Sequence, residues 1–180
     1  MQIIANKSLV AAMLQRLRAV GKSDGWTTRF FDPTTGKRWT QLHVDAESHG
    51  GGWRMLVPDP MPSVRDLLLI AATSPDQAEV AASAWLIADN DKEGKSRELL
   101  VAIAESASSA GDQSRAALLV GWGRLTDASN LRPTLGKAPG EVTEDHNYFR
   151  SLAERAKRAL RLSVSDPLLR DPQVFNDKHK

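Results

Sequence analysis

The chain has 180 residues, 41% of them hydrophobic and 26% charged. That ordinary globular composition excludes global disorder and is long enough to bury a substantial core. It has no cysteine, which excludes disulfide frameworks, cysteine zinc sites and thiol catalysis. The net charge of +2 hides blocks: residues 1–60 hold 8 basic and 5 acidic groups, residues 61–149 hold 8 and 13, and residues 150–180 hold 8 and 4. Charge arranged this way concerns partners rather than fold.

Leu9, Met13, Leu17 and Val20 share one helical face, so the spacing predicts a first helix over Ser8–Val20, ended by Gly21. Arg16 and Arg18 interrupt this only apolar run near the start, so no signal peptide is read and a cytoplasmic protein is expected. Nowhere does the chain approach the roughly 20 apolar residues that a membrane span needs. Trp26–Phe31 and Arg38–Val44 are rich in aromatic and β-branched residues and flank DPTTGK, a strong turn former. They predict a β-hairpin. Three glycines, Gly50–Gly52, follow its second strand, and Trp53–Val57 predicts a third strand, stopped by Pro58, Pro60 and Pro62.

From Ser63 the period changes to a helical one. Val64, Leu67, Leu68 and Ala71 mark a helix capped by Ser63. Ala81, Ala84, Trp85 and Ala88 mark another, starting near Pro75–Asp76. Leu99, Ala102, Ile103 and Ser106 mark a third after Ser96, and Leu118, Trp122 and Leu125 a fourth after Asp112. The short polar joins favour helical hairpins. Asp127–Val142 reads as a long loop, after which Thr143 caps a last helix with Phe149, Leu152, Ala153, Ala156 and Leu160 as its buried stripe. The expected class is α+β: a small antiparallel sheet (hairpin plus third strand) with an N-terminal helix, then a mainly helical part of about five helices. One domain is expected over 1–180, with 1–60 and 61–180 as its two parts.

The candidate chemistry is thin. His43, Asp45, Glu47 and His49 alternate along a strand, which puts four metal donors on one face, but a solvated strand face looks the same. The glycine run does not match a phosphate-binding motif, and its tolerance of positive φ suits a bulged turn. There is no G-x-S-x-G and no companion histidine motif; His146 and His179 read as surface residues. No enzyme, cofactor or metal is expected. Arg150, Arg155, Lys157, Arg158 and Arg161 cluster on the last helix, which keeps a nucleic-acid-binding regulator as the alternative function. Protein binding has better material. Most of the five tryptophans should be core, but Trp53 sits beside glycines and Arg54, and Trp and Arg are enriched in interface hot spots. Asp89, Asp91 and Glu93, in the turn ADNDKEGK, would steer a basic partner.

TTRFFDPTTGKRW, HGGGWRML and PSVRDLLLIAATSPDQAEVAASAWLIAD together resemble a family of bacterial immunity proteins of polymorphic-toxin and contact-dependent growth-inhibition systems. The shared pieces are an aromatic strand, a D-P-x-T-G turn, a tryptophan, a G-G-x-R-like element at Gly51-Gly52-Trp53-Arg54 and a helical second part, over roughly residues 26–105. The resemblance implies a small cytoplasmic protein without catalysis. Its partner would be a cognate toxin C-terminal domain, often a nuclease such as a tRNase, whose substrate cleft it covers. An acidic middle complements a basic cleft, whereas the overall charge of +2 departs from a strongly acidic inhibitor.

Overall fold

The computed structural model describes residues 2–22, 27–44, 53–91 and 93–160. The chain enters as a short extended segment in which Ile4 pairs with Leu56 through two backbone hydrogen bonds of 3.0 and 2.8 Å. Asn6 then caps the first helix, its side-chain oxygen accepting the amides of Ser8 and Leu9, and α1 runs Lys7–Arg16. This helix is shorter than the spacing predicts. Leu17 is already extended, and Arg18–Lys22 is a strand, β1, paired with the next one. The residues read as the helix's last turn instead satisfy the edge of the sheet. Gly21, at φ +104°, lies within a register shift of this pairing rather than at a helix end, and only glycine takes that conformation cheaply.

Strands β2 (Thr27–Phe31), β3 (Arg38–Val44) and β4 (Trp53–Asp59) complete an antiparallel meander in the order β1-β2-β3-β4. The sheet therefore has four strands, one more than expected. Between β2 and β3, Asp32 holds the D-P-T-T-G turn: its carboxylate accepts Thr34 N–H (3.0 Å) and the Thr35 hydroxyl (2.8 Å) and pairs with Arg16 (3.3 Å). Pro58 lies inside β4 rather than stopping it.

Period-two alternation splits the sheet into two faces. Leu56 and Trp39 pack with Ile4, Val10 and Leu17 under α1. Val44, Trp53, Met55 and Val57 face the opposite way, into a larger core built with the helices.

Those helices are α2 (Val64–Thr73), α3 (Gln77–Asn90), α4 (Arg97–Ser109), α5 (Gln113–Trp122) and α6 (Pro139–Ala159). Their starts follow the caps in the sequence. Ser63 and Asp66 form a reciprocal capping box, while the Asp76 and Asp112 side chains accept first-turn amides. Arg115 of α5 reaches the open end of α2, donating to the carbonyls of Ala71 (2.8 Å) and Ser74 (2.7 Å). There it satisfies acceptors that a helix C-terminus leaves free.

Two helical expectations need correction. The buried face of α4 is Leu100, Val101, Ala104, Ala107 and Ser108, while Leu99 is 53% exposed. α6 begins at Pro139, not at Thr143: proline occupies its first turn, and Glu141 reaches back to accept the Ala138 amide at 2.8 Å. The stripe Phe149, Leu152, Ala153, Ala156 is buried as its spacing predicts.

Candidate functional site

The turn between α3 and α4 collects the three acidic candidates and gives each a different role. Asp89, in the last turn of α3, is exposed. Asp91 faces inward along the loop: its two carboxylate oxygens accept the amides of Lys95 (2.9 Å) and Ser96 (2.5 Å), and its carbonyl accepts Gly94 N–H (3.1 Å). Ser96 makes no side-chain cap of its own, and Asp91 instead braces the two residues that lead into α4. Glu93 is exposed and pairs with Lys95 at 2.7 Å. That hydrogen bond, together with the lysine's charge, holds the Glu93 carboxyl below its ordinary value of 4.5. Two of the three carboxylates, Asp89 and Glu93, therefore face solvent. The third is committed to the turn.

Gly94 fixes this turn against α6. It takes φ +67°, and a Cβ there would stand 2.5 Å from Phe149 Cε1. Behind it, the loop from Gly123 to Ala138 is clamped to the same helix by charge. Asp145 accepts from Arg132 (2.7 Å) and Lys137 (2.5 Å), and the Arg132 guanidinium lies 4.6 Å from the Tyr148 ring centre and 5.5 Å from that of Phe149. The Lys137 and Arg132 hydrogen bonds hold the Asp145 carboxyl below its usual 3.8.

Trp53 and Arg54 part company. Trp53 is buried, donates its indole N–H to the Ala5 carbonyl at 2.9 Å and meets Trp122 at 5.4 Å between ring centres. Its side chain belongs to the core and offers no surface to a partner. Arg54 is exposed on the other face of β4, opposite His43, and so turns away from the helices that carry Asp89 and Glu93. The five candidates do not form one patch. Burial, and then the Arg54 charge, depress the His43 imidazole pKa below 6.5. Its proposed co-ligands Asp45, Glu47 and His49, and the three glycines, lie outside the described residues. Among the described residues no group of three or more His, Asp or Glu could hold a metal ion.

On α6, Arg155 makes a two-pronged bond to Glu105 (2.9 and 2.7 Å) and lies 3.6 Å from Glu98; Lys157 pairs with Glu154 at 2.8 Å and Arg150 approaches His146 at 2.8 Å. Of the described basic cluster only Arg155 is drawn into the fold; Arg150, Lys157 and Arg158 are exposed, Lys157 in a surface pair with Glu154. Arg161 lies outside the described residues.

Two features escaped the sequence reading. Arg18, Phe31 and Arg38 stand side by side in register across β1–β3, with Arg29 two residues along the same face; the three arginines are exposed. Their positions in the sequence were plain, but only strand pairing aligns them. The other is Arg97, the first residue of α4, which is just 6% exposed. No periodicity distinguishes a buried helix-start arginine from a solvated one.

No family model matches the chain, and no curated protein or solved structure matches it. No described helix is long and apolar enough to cross a membrane.

Proposed function

We propose that this protein is a cytoplasmic immunity protein that binds and neutralises a cognate toxin domain, and that it does so without catalysis. The observation that carries the reading is a pair of exposed carboxylates, Asp89 in the last turn of α3 and Glu93, paired with Lys95, just after it, beside the Asp91 and Gly94 anchors of the α3–α4 turn. Preorganised surface carboxylates steer a basic partner and fix its register. The resemblance of the D-P-T-T-G hairpin and the G-G-W-R element to immunity proteins points the same way, and a nuclease with a basic cleft is the toxin class that fits.

Co-expression with a toxin C-terminal domain, should one be encoded beside this gene, tests the reading. Rescue of growth and co-purification are expected; failure of both sinks it. The double variant Asp89→Lys/Glu93→Lys should slow association about tenfold or more at low salt and less at high salt. Asp91 is left intact, because reversing it would undo the turn. An unchanged on-rate would place the interface elsewhere.

The exposed arginine row, on the helix-side face of the sheet where β1–β3 carry it, favours a second reading, nucleic-acid binding. Replacing Arg29 and Arg38 by alanine should then abolish a salt-dependent gel shift, and a chain that shifts no RNA or DNA at low salt removes this reading.

A further inference from the structure

On its helix-side face the sheet is covered at β4, through Trp53, Met55 and Val57, and at the far end of β3, through Leu42 and Val44. The rest of that face carries Arg18 on β1, Arg29 and Phe31 on β2 and Arg38 on β3, with Arg18 and Arg38 directly opposite Phe31. Neighbouring strands lie about 4.8 Å apart and alternate residues of one strand about 7 Å apart, so Phe31 has an arginine on three sides.

The fold treats Phe30 and Phe31 differently. Phe30 packs on the core under α1, whereas Phe31 is half-buried and belongs to neither core cluster. The three arginines are exposed, and none has an ion-pair or side-chain hydrogen-bond partner among the described residues; Arg16, Arg132 and Arg155, by contrast, hold carboxylates. The row ends on β4 at Asp59, exposed opposite Arg38. Three guanidiniums against one carboxylate leave the face positive.

Unpaired guanidiniums are suited to phosphate, which they grip through two parallel hydrogen bonds. An aromatic ring among them adds something that phosphate alone does not use, a surface on which a base can stack. A duplex keeps the faces of its bases inside the stack, and a flat sheet face inserts nothing into its grooves. A single strand offers both its phosphates and its base faces. We propose that the helix-side face of β1–β3 binds single-stranded nucleic acid, with a base stacked on Phe31 and the phosphates on either side of that base held by Arg18, Arg29 and Arg38. The single-strand site rests on the nucleic-acid reading above and is independent of toxin binding.

Fluorescence anisotropy of a labelled oligothymidylate with the full chain, beside the matching duplex, tests this. The single strand should bind more tightly than the duplex, and its affinity should fall as salt rises. Phe31→Ala should weaken binding about tenfold, as should Phe31→Leu, which keeps the apolar bulk without the ring, while Phe31→Tyr should stay within about twofold of the parent. Arg29→Ala should lower the slope of log affinity against log salt by about 0.7, the share of one phosphate contact on a single strand. Duplex bound as tightly as the single strand, Phe31→Leu binding like the parent, or an unchanged salt slope in Arg29→Ala overturns the single-strand site while the nucleic-acid reading stands. No binding of either nucleic acid at low salt overturns both. Equally tight binding of polyglutamate would assign the face to an acidic protein and overturns the proposal as well.

Discussion

Gly94 and Gly136 share a backbone conformation, at φ +67° and +82°, but not a neighbourhood. A Cβ at Gly136 would meet nothing within 4 Å, whereas at Gly94 it would strike the Phe149 ring. Gly136→Ala should therefore cost only the left-handed backbone penalty, about 1–2 kcal/mol. Gly94→Ala should add an overpacking term of about 1–3 kcal/mol. Urea unfolding of the two variants measures the difference; equal midpoints would mean that the ring moves aside freely. The same scale shows why individual residues resist sequence reading. Asp91 looks like its acidic neighbours in the string, and its role depends on where the Lys95 and Ser96 amides point. Trp53 and Arg54 are adjacent, yet one lies in the core and the other on the surface, and strand alternation decides which. A free, buried Nη1 on Arg97 has no signature in the chain at all.

Elements were easier to foresee than their edges. The hairpin and the third strand follow from turn chemistry and β-branched runs. The starts of α2, α3 and α5 follow from Ser63, Asp76 and Asp112. The misses have local causes. β1 competes with a helical pattern and prevails through pairing with β2. α4 packs against both α5 and α6, so its buried arc is broad and the apolar Leu99 falls outside it. The Pro139-Gly140 pair looks like loop, although proline is also suited to a helix's first turn. The ion pairs that hold α6 to α4 and to the loop before it support a prediction of their own. The Arg155 hydrogen bond holds Glu105 below 4.5, and the Lys137 and Arg132 hydrogen bonds hold Asp145 below 3.8. Because both pKa values are lower in the folded chain, it binds fewer protons than the unfolded chain in this range. The stabilisation is complete above those ordinary values and is lost as pH falls through the depressed ones. The variant Glu105→Gln/Asp145→Asn should be less stable than the parent at pH 7, and its stability should fall less between neutral pH and about pH 3. Urea midpoints at the two pH values check this; parallel losses would show that neither carboxylate contributes to the acid limb.

At the scale of the molecule, one core joins the sheet to the helices. Trp53, Met55 and Val57 of β4 share a cluster with Leu67 of α2, Leu86 of α3, Leu119 of α5 and Leu152 of α6. On the other face of the sheet, Ile4, Val10 and Leu17 pack on Leu56 and Trp39. Neither layer can lose its partner without exposing β4, which is buried on both faces through Met55, Leu56 and Val57. Unfolding should therefore be a single transition, with far-UV circular dichroism, dominated by the helices, coinciding with tryptophan fluorescence from Trp39 and Trp53 in the sheet and Trp85 and Trp122 in the helices. Met55→Ala sharpens the test. Met55 is fully buried on the helical side of β4, and its truncation should cost about 2–5 kcal/mol. In a single unit the helix signal must shift to lower urea by the same amount as the fluorescence, although Met55 belongs to no helix. A helix signal left at its original midpoint while fluorescence moves would show that residues 61–160 hold together without the sheet.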